Sequence, residues 1–216
     1  MAGDSFASFA TAYDAGRAQI VFRRVVADLE TPVGAYLKLA EGRRNTFLLE
    51  SVQDGATKGR YSMIGFDPDI ILKVEAGKAS INRNANVSAA AFEPLGTPPL
   101  EALRALVAES QTDVPEGLPS TAAGIYGYLG YDMVRLMEEL PDKHADGLGL
   151  PDSILMRPSV LAIFDTLKDE LYLTAPVYVR AGFAARKAWE SAAARIDDAA
   201  ALLSRTLPYG TALPDL

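Results

Sequence analysis

Cysteine is absent from the 216 residues. Disulfides, thiolate metal sites and cysteine nucleophiles are therefore excluded. Histidine occurs once, at His144 in the polar run Pro141–Gly147. A zinc centre would lack a second imidazole or thiolate. A Ser-His-Asp triad would have to use this one loop histidine, and no serine stands in a G-x-S-x-G turn. An excess of basic charge is also missing: net charge is −7 and the isoelectric point is about 4.8. Such a chain is poorly suited to a phosphate backbone or an anionic membrane. No apolar run reaches the roughly 18 residues of a spanning helix, and the first residues lack the basic and apolar regions of a signal peptide. A soluble, cytoplasmic protein is expected, with no nucleic-acid or membrane partner.

What is present has the composition of an ordinary globular domain, 49% hydrophobic and 23% charged. Thr31-Pro32 supplies an N-cap and a first-turn proline for a helix that Gly42 can end. Thr46–Val52, Arg60–Phe66, Ile70–Glu75 and Lys78–Asn82 read as strands. The last two flank Ala76-Gly77, a tight-turn signal. Residues 83–97 read as a loop. Pro98–Ser110 carries Leu100, Leu103 and Leu106/Val107 at helical spacing. Ala122–Tyr131, rich in glycine and tyrosine, reads as a buried strand with close backbone neighbours, and Met133–Leu140 as a short helix. Ser159–Phe164 and Glu170–Val177 form a second hairpin. Arg180–Leu207 reads as a long helix with an apolar stripe through Trp189, Ala193, Ile196, Ala200, Leu203 and Leu207, ended by Pro208. Hairpins without a strict βαβ alternation predict an α+β fold: a mainly antiparallel sheet packed with helices and closed by a long C-terminal helix.

Few residues invite chemistry. Gly124, Gly127 and Gly130 are spaced G-x-x-G-x-x-G, which is not the dinucleotide pattern, and tyrosines stand where a phosphate needs the backbone. Glu138 and Glu139 read as the solvated face of a short helix. The stretch from Thr46 to Pro68 is different. Phe47-Leu48-Leu49 turns polar at Glu50-Ser51, and Arg60-Tyr61-Ser62 returns after a glycine-bearing loop. Glu50 can accept from an ammonium, while Ser51 and Arg60 can donate to a carboxylate. Leu48, Leu49, Tyr61, Met63 and Ile64 can supply apolar walls. Two readings stand on these residues: a plain strand end reaching water, or half of a site for a small zwitterion.

Leu48-Leu49-Glu50-Ser51, followed by Gly59-Arg60-Tyr61-Ser62-x-Ile64-Gly65-x-x-Pro68, resembles the N-terminal part of the anthranilate synthase component I family. VADLETPVGAYLKL (26–39), GIYGYLGYDMVRLMEELP (124–141) and PDSILMRPSVLAIFDTLKDELYL (151–173) extend the likeness over nearly the whole chain. That family makes anthranilate from chorismate with Mg²⁺ and with ammonia delivered by a glutamine amidotransferase subunit, and tryptophan inhibits it. The resemblance implies that residues 1–216 are its single N-terminal regulatory domain and that Glu50 and Ser51 belong to the tryptophan site, with Arg60 and Tyr61 at its edge. Family members are much longer, and their chorismate and Mg²⁺ residues lie in a C-terminal portion absent here. No catalytic residue, metal ligand or cofactor is therefore assigned to this chain, and the fragment alone is expected to be inactive. The equivalent domain of aminodeoxychorismate synthase or of another chorismate-utilising enzyme, and a free-standing binding or interaction module, remain as alternatives.

Overall fold

The computed structural model describes residues 6–52, 58–141 and 149–207. Four helices and eight strands follow in chain order: α1 (Phe6–Asp14), β1 (Gln19–Val26), α2 (Pro32–Ala40), β2 (Phe47–Val52), β3 (Lys58–Glu75), β4 (Lys78–Asn82), β5 (Glu93–Pro94), α3 (Pro99–Glu109), β6 (Tyr126–Leu129), β7 (Ser153–Asp165), β8 (Glu170–Val177) and α4 (Ala185–Leu203). The pairs β1–β8, β2–β3, β3–β4, β4–β5, β6–β7 and β7–β8 are all antiparallel. The α+β expectation holds. The chain divides into two compact units, one of residues 1–66, 112–123 and 160–216, the other of 67–111 and 124–159. Strands β3 and β7 each contribute one half to each unit.

In the first unit the strand order is β1-β8-β7-β3-β2. One face of this sheet buries Val21, Ile64, Phe66, Val160, Ala162, Phe164, Leu171 and Leu173 against the helices. Helix α2 starts where its sequence dictates: the Thr31 hydroxyl accepts from Gly34 N–H at 3.0 Å, with Pro32 at the first helical position. Helix α4 packs on β8 and β1 and against α1 and α2. Its buried line is Ala185, Ala188, Ala192, Ile196, Ala199 and Leu203: Ile196 and Leu203 of the expected stripe face inward, while Trp189, Ala193 and Ala200 lie one residue off it. Alanines bring the helix axis close to the sheet, while Trp189 sits on the flank, edge-on to Phe9 at 5.0 Å and Phe6 at 6.1 Å. The helix spans 185–203 rather than 180–207, and Leu207 is exposed. Pro208 lies outside the described residues. Strands β7 and β8 are also buried on their second face, where Thr174 donates to the Ala122 carbonyl at 2.8 Å.

The second unit contains β6, the first half of β7, the second half of β3, β4, β5 and α3. Its core joins Ile70, Leu72, Ala79, Ile81, Leu155, Ala102 and Leu106. Helix α3 therefore turns Pro99, Ala102 and Leu106 inward, whereas Leu100 and Leu103 are half-buried and Val107 is exposed. The Ala76-Gly77 turn closes the β3–β4 hairpin with φ of 48° and 70°, both left-handed as a two-residue turn of this type requires.

Four further sequence expectations are corrected. Arg60–Phe66 and Ile70–Glu75 are one strand, not two, which runs on through Asp67, at φ 49°, and Pro68. Residues 83–97 include the short strand β5. The Gly124–Tyr131 run is not a buried strand. Only 126–129 pair, with β7, and Tyr128, Leu129 and Tyr131 are exposed. Its glycines do serve close approach: a Cβ on Gly127 would fall 1.9 Å from the Ile154 carbonyl oxygen. What they admit is the neighbouring backbone, not a packed core. Beyond it, Tyr131–Leu136 forms a 3₁₀ turn in place of the expected helix over 133–140, and Glu138 and Glu139 are exposed.

Candidate functional site

The polar strand end lies on the β2–β3 hairpin of the first unit. Phe47 pairs with Gly65, Leu48 with Ile64, Leu49 with Met63 and Glu50 with Ser62; the register then shifts so that Val52 meets Lys58. The extra β3 residues sit opposite Ser51. Such a bulge re-aims side chains and interrupts the ladder. Alternation puts Leu48 toward the core, while Leu49, Glu50 and Ser51 are exposed. Two glycines on β3 make room for β2. A Cβ on Gly65 would meet the Phe47 ring at 2.3 Å, and one on Gly59 would lie 2.1 Å from Ser51 Oγ. Ser51 thus rests directly on the bare backbone of Gly59.

Arg60 is placed close to this strand end, but its guanidinium is already engaged. Its Nε and Nη2 donate to Asp165 Oδ1 and Oδ2 at 3.1 and 2.9 Å. Its carbon Cζ stands 4.8 Å from the centre of the Tyr61 ring, a cation–π contact. The arginine side chain is 45% exposed while the aspartate is 1% exposed, so the remaining donors stay accessible. Tyr61 and Met63 are half-buried. Of the apolar walls read from the sequence, Ile64 belongs to the core and is fully buried, and Leu48 packs against that core. Leu49, Tyr61 and Met63 remain at the surface.

The ionisation of the surrounding groups follows from these contacts. The hydrogen bond to Asp165, which outweighs burial, raises the Arg60 pKa. Burial pushes the Asp165 carboxyl up, but the Arg60 hydrogen bond, the Leu167 N–H and nearby cations together hold it below its ordinary range. Burial, then the hydrogen bond to Glu170 and its charge, pushes the Tyr172 phenol up to about 12. Tyr172 donates to Glu170 Oε2 at 2.5 Å, and Arg24 pairs with the same carboxylate at 3.1 Å.

Asp165 and Thr166 are residues that reading the sequence did not single out for the site. They lie at the end of β7 and in the turn that follows it, and nothing in local spacing ties Asp165 to Arg60, 105 residues earlier. Among the described residues no three His, Cys, Asp or Glu side chains gather as a metal site, and no helix is long and apolar enough to cross a membrane. His144 lies outside the described residues. A further hollow of about 620 Å³, lined by Thr11, Arg17, Gln19, Asp113 and Glu116 among others, is open and of mixed charge.

One hairpin of this antiparallel α+β scaffold carries an exposed acid, an exposed hydroxyl and a pre-paired guanidinium. No protein-family model matches the chain. It is 51% identical over 204 residues to anthranilate synthase component 1 of Cereibacter sphaeroides, covering 94% of this chain and 41% of that protein. It is 39% identical over 179 residues to the protein of the same name from Mycolicibacterium smegmatis, covering 82% and 33%. The solved structure of anthranilate synthase component I from Streptococcus pneumoniae TIGR4 has the same fold over 86% of this chain and 38% of its own, with a TM-score of 0.54 at 20% identity. The chain belongs to the anthranilate synthase component 1 family as an N-terminal portion, and it spans about two fifths of the length of the first of these relatives.

Proposed function

We propose that this chain is the tryptophan-sensing N-terminal portion of an enzyme that converts chorismate to anthranilate. The observation that carries the reading is the 51% identity across 94% of the chain with an anthranilate synthase component 1. The hairpin geometry supports the sensing role. A free amino acid offers an ammonium and a carboxylate, and the strand end exposes an acceptor in Glu50 and a donor in Ser51, with the Arg60 guanidinium and the Tyr61 ring at its edge. Leu49 and Met63, paired across the same hairpin, offer apolar surface on it. Chorismate chemistry is assigned to the remainder of the polypeptide, with a glutamine amidotransferase subunit supplying ammonia in the cytoplasm. The Mg²⁺ that the family resemblance implies is assigned, with that chemistry, to the remainder of the polypeptide.

Anthranilate fluorescence tests the reading. The complete polypeptide, given chorismate, ammonium and Mg²⁺, is expected to form anthranilate and to be inhibited by tryptophan. The 216-residue chain alone is expected to form none. Turnover by the chain alone, or a complete polypeptide indifferent to tryptophan, contradicts the proposal.

A further inference from the structure

Gly59 and Arg60 are gripped from a part of the chain more than a hundred residues away. The Thr166 N–H donates to the Arg60 carbonyl at 2.9 Å, and the Thr166 hydroxyl lies 3.0 Å from that oxygen and 3.3 Å from the Gly59 carbonyl oxygen. Asp165 takes the guanidinium through two parallel hydrogen bonds, the geometry that best fixes an arginine. The carboxylate is itself oriented, because Oδ1 also accepts the Leu167 N–H at 3.2 Å within the turn. The turn is closed by the Asp165–Glu170 pair of the β7–β8 hairpin, whose strands are buried. The clamp thus sits on one of the best-packed parts of the first unit and reaches out to a strand end in solvent.

Its other side meets Ser51. The approach of Ser51 Oγ, Cβ and carbonyl oxygen to Gly59 leaves no room for a side chain there, so the place of Ser51 follows that of Gly59. A long, flexible arginine held in advance loses less freedom when a ligand arrives. We propose that Asp165 and Thr166 are positioning residues of the effector site: they fix Arg60 and the Gly59 backbone, and through Gly59 the Ser51 side chain. The inference rests on the tryptophan-sensing reading of Glu50 and Ser51, and it adds two residues to that site that touch no ligand themselves.

Calorimetry of tryptophan binding to the complete polypeptide tests it, in the parent, Asp165→Asn, Arg60→Gln and the double variant. Loss of the charged pairing weakens tryptophan about tenfold in Asp165→Asn. In the Arg60→Gln background the same change alters affinity by less than about twofold, because the interaction it removes is already gone. A general loss of packing would act equally in both backgrounds, and that result overturns the inference. Thr166→Val, which keeps the shape of the turn, is expected to weaken tryptophan about threefold, on the order of one neutral hydrogen bond, and serves if Asp165→Asn does not fold. Amide exchange of residues 59–62 needs no ligand and is expected to rise in both turn variants. Unchanged exchange overturns the clamp itself. Raised exchange in a polypeptide whose parent binds no tryptophan leaves the clamp standing and overturns its link to an effector.

Discussion

Arg157 and Asp69 face each other through two parallel hydrogen bonds, Nε to Oδ1 at 2.8 Å and Nη2 to Oδ2 at 2.6 Å, at positions 5% and 8% exposed. Ser110, which follows α3, accepts a third bond from Nη1 at 3.3 Å. The pair ties β7 to β3 and to the end of α3 inside the second unit. Removing one partner leaves the other charged and buried. Asp69→Ala is therefore expected to cost about 3–5 kcal/mol. Urea unfolding checks this, and a loss below about 1 kcal/mol contradicts it.

Gly127 tests the close approach of β6. Alanine there would set its Cβ 1.9 Å from the Ile154 carbonyl oxygen, at a φ of 152° that L side chains rarely adopt. Backbone cannot yield as a side chain does. Gly127→Ala is expected to destabilise by more than about 2 kcal/mol and to raise amide exchange over 126–129. An alanine variant as stable as the parent contradicts the placement of β6.

Helix α2 offers a local test. Thr31→Ala removes the acceptor for Gly34 N–H and should cost about 1 kcal/mol. Thr31→Ser keeps the hydroxyl and should recover most of it. Thermal melting of the three proteins decides.

Tyr172 makes alkaline stability testable. Its folded pKa, about 12, lies above the ordinary value of 10.0. Folding thus favours the protonated phenol. The stability this contributes is present in full below pH 10 and is lost as pH climbs toward 12. Tyr172→Phe should flatten that part of the alkaline limb, and an ultraviolet titration should lose a late-ionising phenol in that variant. Asp165 acts on the acid side: its folded pKa lies below the ordinary 3.8, so its contribution is present above that value and fades as pH falls through the folded one.

What the sequence made legible was local. Thr31-Pro32 and Ala76-Gly77 each state their own geometry, and the structure places a cap and a left-handed turn there. Depth was harder to read. In α4 the bulky Trp189 suggested the inward face, yet alanines lie deepest because they let the helix approach the sheet. In β6 glycine and tyrosine suggested a core strand, where glycine in fact admits a carbonyl and the ring of Tyr128 stays in solvent. Arg60–Phe66 and Ile70–Glu75 read as separate strands, yet one continuous strand joins them through Asp67-Pro68. At the candidate site, Glu50 and Ser51 were visible as an acid and a hydroxyl following an apolar run. The engagement of Arg60 by Asp165 was not, since a contact across 105 residues is a product of the fold rather than of spacing.

Tryptophan binding to the complete polypeptide, measured by calorimetry for the parent, Glu50→Ala and Ser51→Phe, tests the central claim most directly. Ser51 lies exposed on the strand end, where a phenyl ring would fill the space beside Glu50 and remove a hydroxyl partner. On the proposed reading Glu50→Ala leaves the ligand's ammonium without its acceptor, a loss of about 1–3 kcal/mol or roughly ten- to a hundredfold in affinity. The account predicts a parent that binds tryptophan, a Glu50→Ala variant weakened by that range, and a Ser51→Phe variant weakened at least about tenfold. A Ser51→Phe variant that binds tryptophan as tightly as the parent would contradict it.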